Sequence, residues 1–259
     1  MSVKSNLMIK KVLLTLTLLV NVSHKLSGQE ALDNESPQTI VLVHGAWGGA
    51  WAFKAIDYAL VKQGFKVYRP TLSGLGRDYH NNNQSITLQT HIADIVNLIL
   101  FEKLEQVVLV GHSYGGMVIS GVANALPNRV KQLLYVDAFV PFDNESVMDY
   151  RQKLLNMPIK NHSIVPPWVD PNKPYPKDVP QPLNTWTSKI ILDNPERLKI
   201  DATYLLTIDE GRKKENDAFY KHYLRAEQLG WELKEIISDH NPQWSKPDVL
   251  VNQIIAVSH

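Results

Sequence analysis

Short apolar runs alternate with stretches of helical periodicity along most of the chain. Thr39–Val43 (TIVLV), Val107–Val110 (VVLV), Leu133–Val136 (LLYV) and Thr203–Thr207 (TYLLT) are unbroken apolar runs rich in β-formers. Runs of this kind fit strands buried on both faces, as in a parallel sheet. Phe65–Pro70 (FKVYRP) reads as a fifth strand, and Trp231–Ile237 (WELKEII) alternates, so it fits a half-exposed, later strand. Between them, in HIADIVNLILFEKL, Ile92, Ile95, Val96, Ile99 and Leu100 recur at the spacing of one buried helix face. A last helix is expected near SKPD, with Ser245 as its cap, Pro247 in its first turn and Asp248 at its positive end. Strand–helix alternation predicts an α/β fold, a mostly parallel, doubly wound sheet with right-handed crossovers.

Two regions depart from this rhythm. Lys4, Lys10 and Lys11 precede an apolar run of 11 residues, Val12–Val22, followed by polar SHKLSGQE. A span across a bilayer needs roughly 20 apolar residues, so this pattern predicts a secretory signal peptide over residues 1–28, cleaved after Gly28. Residues 29–38 then form a polar lead-in, and the product is exported to the periplasm or the medium. The second departure is 143–200, which shows no clean strand and holds nine of the 15 prolines. A stretch this long is more than a connection. Its Trp168, Tyr175 and Trp186 are too many large apolar groups for a linker. It reads as an inserted cap, part helical in ESVMDYRQKLL and part irregular, within a core formed by 39–142 and 201–259.

Composition narrows the function classes. Charge is nearly balanced, with 27 Lys and Arg against 26 Asp and Glu, so no basic field attracts nucleic acid. The chain has no cysteine, which excludes disulfides, thiolate-ligated metals, thiol nucleophiles and a lipidated anchor. No metal site and no organic cofactor is implied, and no stable membrane anchor is expected.

The segment VVLVGHSYGG carries the chemistry. A buried strand runs into Gly111-His112-Ser113-Tyr114-Gly115 and then into the helix-compatible GMVISGVANAL. In G-x-S-x-G placed between strand and helix, the turn is so tight that the serine adopts strained dihedrals. Glycine at 111 and 115 leaves room for the neighbouring chain. The strain projects the Ser113 hydroxyl at a helix start, where backbone N–H groups favour developing negative charge. A hydroxyl needs a base to become a nucleophile. His240, in ISDHNPQW after the last strand, is the best placed of nine histidines. His112 is expected to pack or support, His44 to brace its loop, and His80, His91, His162, His222 and His259 to be surface groups, while His24 goes with the export segment. For the acid that orients the base, Asp209 in TIDEGR ranks first, with Asp137 in YVDAF and Glu210 as alternatives. The Gly-rich loop HGAWGGAW (44–51) follows the first strand, so the N–H groups of Ala46 and Tyr114 are the expected oxyanion donors.

Together LVHGAWGGAW, GHSYGG, VDAFVP and SDHNPQWSKP resemble the α/β-hydrolase superfamily, and within it the group of plant methylesterases, hydroxynitrile lyases and bacterial aryl- and pyrethroid-type esterases. The resemblance runs from about Thr39 to Ile255. It implies an α/β-hydrolase fold with an inserted cap and a Ser–acid–His esterase, which would act through an acyl-enzyme. Members carry the acid in a T-x-D-x-G loop, matched here by Thr207-Ile208-Asp209-Glu210-Gly211. Lyases of the well-known type look to have Thr where this chain has Gly45, and Lys where it has Asn241, and both departures favour hydrolysis. Trp47, Trp168, Trp186 and Trp244 are expected to make an apolar pocket, which points to a small hydrophobic ester. The alternatives are cyanohydrin cleavage at the same site and a non-catalytic ligand-binding homologue. A monomer or homodimer meeting a small-molecule ester is the expected working form.

Overall fold

The computed structural model describes residues 37–150 and 157–258. The predicted export segment, most of the lead-in, and Arg151–Leu155 of the predicted cap helix lie outside the described residues, as does His259. In chain order the described strands are β1 (Thr39–Val43), β2 (Lys66–Tyr68), β3 (Val107–His112), β4 (Val130–Val136), β5 (Ile159–Lys160), β6 (Ser163–Ile164), β7 (Gln181–Pro182), β8 (Asp201–Ile208) and β9 (Glu232–Ile237). The helices are α1 (Lys54–Lys62), α2 (Leu88–Phe101), α3 (Gly115–Ala125), α4 (Val147–Tyr150), α5 (Asn184–Thr187), α6 (Tyr220–Gln228), α7 (Pro242–Ser245) and α8 (Pro247–Ser258).

The main sheet has six strands in the order β2-β1-β3-β4-β8-β9, and every pair is parallel. Alternation along the strands divides the core in two. Ile40, Leu42, Val108, Val110, Leu134, Val136 and Leu205 pack on one face against Phe53, Ile56 and Leu60 and against Leu250, Val251 and Ile254 of α8. Val41, Val43, Leu109, Tyr135, Tyr204 and Leu206 pack on the other against Ile95 and Ile99 of α2, Met117 and Val118 of α3, and Ala226 of α6. Full burial of each such side chain contributes roughly 1.5–3 kcal/mol. β2 and β9 are the edge strands, and their residues are mostly exposed or half-buried.

Two details of the helices differ from expectation. In α2 the buried stripe is Leu88, His91, Ile95 and Ile99, while Leu100 is 43% exposed. The stripe runs at i, i+3 and i+4, and Leu100 falls one residue past its edge. Ser245 does not cap the last helix, because it ends α7. Its hydroxyl bonds Asp239 Oδ1 and Ser238 Oγ and so closes the loop that carries His240. Pro247 does begin α8, with Asp248 in its first turn.

Within 143–200 lie α4, α5 and an antiparallel three-stranded sheet, β5-β6-β7, which the proline-rich sequence conceals. The segment is tied to the core. Arg225 of α6 makes a 2.6 Å ion pair with Glu145, and Asn82 Nδ2 donates to Pro180 O at 2.9 Å. Trp47 N–H donates to Gln181 Oε1 at 2.9 Å, and Val179 N–H donates to Trp47 O at 2.9 Å. The loop after β1 is therefore clamped by the cap.

Candidate active site

β3 ends at His112 and α3 begins at Gly115, so Ser113 and Tyr114 make the turn, and Ser113 has φ at +53°. That left-handed conformation costs a non-glycine residue roughly 1–2 kcal/mol, and neighbours hold it in place. Ser113 N–H donates to Val136 O at 3.2 Å, and its carbonyl accepts from Phe139 N–H at 3.1 Å. The turn also demands a close approach. A Cβ on Gly115 would stand 2.6 Å from Val43 O, and one on Gly111 would stand 2.8 Å from Gly115 O.

His240, from the loop between β9 and α7, reaches this elbow. Its Nε2 lies 3.0 Å from Ser113 Oγ, and its Nδ1 lies 2.5 Å from Asp137 Oδ2. With the Nδ1 proton directed at the carboxylate, Nε2 is left to accept from the serine hydroxyl. The Asp137 side chain is 1% exposed and that of His240 39%. Phe219 stacks on the imidazole at 4.8 Å with the rings 9° from parallel.

The carboxylate is thus Asp137, not Asp209. Asp137 follows β4 directly and β4 is paired with β3, which places it beside the elbow. Its φ is +44°, its N–H donates to Leu205 O, and its Oδ1 accepts from Thr207 N–H. Asp209 follows β8, one strand further out. Its side chain is 44% exposed and pairs with Arg212 at 3.2 Å, and Glu210 is exposed.

The supporting histidines are neutral by environment. His44 Nδ1–H donates to Gly45 O and its Nε2 accepts from Leu72 N–H, so it braces the Gly-rich loop, and burial pulls its pKa down to about 4. His112 donates from Nε2 to the carbonyl of His240 at 2.7 Å, with its pKa lowered to about 3 by burial. It steadies the backbone at His240. His91 and His222 are buried, against the surface positions expected of them. His91 bonds Ser73 O and Tyr114 OH, with its pKa lowered to about 4 by burial, and His222 accepts from Val140 N–H. His80 and His162 are exposed.

A cavity of about 410 Å³ opens over Ser113 and His240, lined also by Ala46, Trp47, Trp168, Asp178 and Trp244. Neither the Ala46 N–H nor the Tyr114 N–H has an acceptor among the described residues. Trp186 is 2% exposed and packs against Trp47 and Tyr114 without lining this cavity, so its indole is core. Among the described residues no group of three or more His, Asp or Glu side chains converges as a metal site.

Residues 40–253 match the alpha/beta hydrolase family. The chain belongs to that family. Among its relatives is the carbendazim hydrolyzing esterase of Nocardioides sp. (strain SG-4G), 47% identical over 115 residues, 44% of this chain and 48% of that protein. Methylesterase 8 of Arabidopsis thaliana is 30% identical over 105 residues, 40% of this chain and 39% of that protein. The chain thus aligns with less than half the length of these curated relatives. Among solved structures, an extracellular alpha/beta-hydrolase from a Paenibacillus species superposes with a TM-score of 0.68 at 24% identity, over 85% of this chain and 99% of that one.

Within this alpha/beta hydrolase, the sequence carried no signal for the ring stacked on His240 or for the residues of 143–200 that touch the loop after β1. Phe219 carries no motif, because its role comes from where the start of α6 docks. Gln181 is one glutamine in a proline-rich stretch, and only the cap's fold brings its amide to Trp47.

Proposed function

We propose that this protein is a serine esterase acting on a small hydrophobic carboxylic ester. The observation that carries this reading is the line Ser113 Oγ–His240 Nε2, His240 Nδ1–Asp137 Oδ2, at 3.0 and 2.5 Å, set on a strained elbow. Relatives named as esterases and methylesterases support an ester as the substrate class.

Ser113 Oγ attacks the ester carbonyl carbon while His240 Nε2 takes the hydroxyl proton. Asp137 stabilises the resulting imidazolium and fixes its orientation. The carbonyl oxygen becomes an oxyanion held by the free N–H groups of Ala46 and Tyr114, and loss of one such donor typically costs about 10²–10³ in rate. The C–O bond to the alcohol then breaks, and His240 returns its proton to the leaving oxygen. Water attacks the acyl-serine with His240 again as base, which releases the acid and restores the hydroxyl.

Room at the elbow favours hydrolysis over cyanohydrin cleavage. A Cβ on Gly45 would stand 2.9 Å from His112 Nδ1 and 3.2 Å from Ser113 Cβ. A threonine there, as the lyases look to carry, would crowd both. The test is turnover of p-nitrophenyl acetate and butyrate by the full chain. A burst of nitrophenol is expected, and Ser113→Ala is expected to lower kcat by about 10⁴–10⁶. Equal turnover by Ser113→Ala would overturn the reading. Residues 1–28 are proposed to direct export, so the mature chain recovered from cultures should begin near Gln29; a recovered extracellular chain that retains Met1 contradicts this.

A further inference from the structure

The catalytic cavity holds a combination that a neutral ester does not need. Three indoles, Trp47, Trp168 and Trp244, share its wall with one carboxylate, Asp178, and among the described residues no lysine or arginine lines it. Trp47 and Trp168 meet edge to face, 5.2 Å apart at 88°, and so set two walls of a corner. Trp168 and Trp244 are half exposed at the rim, which leaves aromatic surface for a ligand. Asp178 is half-buried. Burial holds its carboxyl above the ordinary carboxylate range, while the charge of Lys173 and the indole N–H of Trp168 oppose that rise.

Lys160, Lys173 and Lys177 lie nearby, and among the described residues none of them makes an ion pair with Asp178. Lys173 is exposed. Asp178 also borders a second cavity of about 690 Å³ on the cap side, where Lys177 lies. Lys177 Nζ is committed to the carbonyls of Asp170 and Pro171 and lies over the Tyr175 ring. A carboxylate held partly out of water without a cationic partner is costly. A ligand cation would relieve that cost, and aromatic faces within about 6 Å would add to its binding.

We propose that this corner of Trp47, Trp168, Trp244 and Asp178 binds a cationic ammonium group, so that the preferred substrate is an ester carrying a substituted ammonium on its alcohol or acyl side. The proposal rests on the esterase reading only for the word ester, since the cation site itself is defined without turnover.

Binding is therefore read first. Indole fluorescence of the full chain is titrated with phenyltrimethylammonium and with its neutral isostere tert-butylbenzene. The cation is expected to bind about tenfold tighter or better. Asp178→Asn, and separately Trp168→Leu, should each erase most of that difference. Turnover is read second, as the ratio of kcat/KM for butyrylthiocholine to that for a neutral thioester of matched size. That ratio should exceed one in the wild type and fall about tenfold in Asp178→Asn. Equal binding of the two isosteres, or an unchanged ratio in both variants, would overturn the cation site. If the cation binds selectively but no ester turns over, the esterase reading fails and the cation site stands.

Discussion

The loops after β4 and β8 each place an aspartate directly past the strand, and the two carboxylates meet different fates. Asp137 is enclosed, its carboxylate accepting from Thr207 N–H and bonded to His240. Asp209 faces solvent and pairs with Arg212. Strand adjacency decides between them. β4 lies next to β3 and β8 does not, so only the first loop opens beside the elbow. A left-handed turn at Asp137 then directs its side chain inward. An acid at a strand end becomes an orienting group only when the strand order and one backbone angle both place it there.

The sharpest way to break this comparison is to neutralise each acid in turn. Asp137→Asn should lower kcat on p-nitrophenyl esters by about 10⁴, while Asp209→Asn should leave it within about twofold, since an exposed pair contributes little. Equal losses, or a larger loss at Asp209, would reverse the assignment.

Next in size is the pH dependence of stability, set by the buried rings around the elbow. Burial lowers His44 and His91 to about 4 and His112 to about 3, from an ordinary 6.5. Between those limits the unfolded chain binds protons that the folded rings refuse. Stability from these rings is therefore full above about pH 6.5 and is lost as pH falls toward 4, at about 1.4 kcal/mol per unit per ring. Urea unfolding at pH 7.5, 5.5 and 4.5 should show that slope, and His91→Gln should flatten it by one proton. A profile flat over this range would contradict the neutral, buried state of the rings.

A smaller effect isolates the ring that stacks on the base. Phe219→Ala should lower kcat/KM by roughly tenfold, the scale of one aromatic pair, and Phe219→Tyr should restore most of it. An alanine variant with wild-type kcat/KM would mean that Asp137 alone positions the imidazole.

How far these roles could be read from sequence follows the same division. Each predicted sheet strand is present: the four apolar runs because burial on both faces depends on residue type alone, and the two edge strands because one face of each still packs on the core. Ser113 and His240 were legible because a strand–glycine–serine–glycine–helix segment permits one local geometry, and because the histidine follows the last strand. The orienting acid was not legible in the same way. Asp137 and Asp209 have equivalent local contexts, and strand order, a non-local property, separates them. His91 was misplaced because a polar residue on a helix reads as exposed unless its partners, Ser73 O and Tyr114 OH, are known. The fourth tryptophan was misplaced for a related reason: Trp186 and Trp168 differ in burial through the cap's own fold, which its prolines hide.

The central claim is that a carboxylate-oriented imidazole activates the hydroxyl of the elbow. Its most direct test is labelling of the full chain with a fluorophosphonate, followed by peptide mass mapping. The account predicts one adduct, on Ser113, formed rapidly by the wild type and not detectably by His240→Ala. No adduct, an adduct on another residue, or equal labelling of the His240→Ala chain would contradict it.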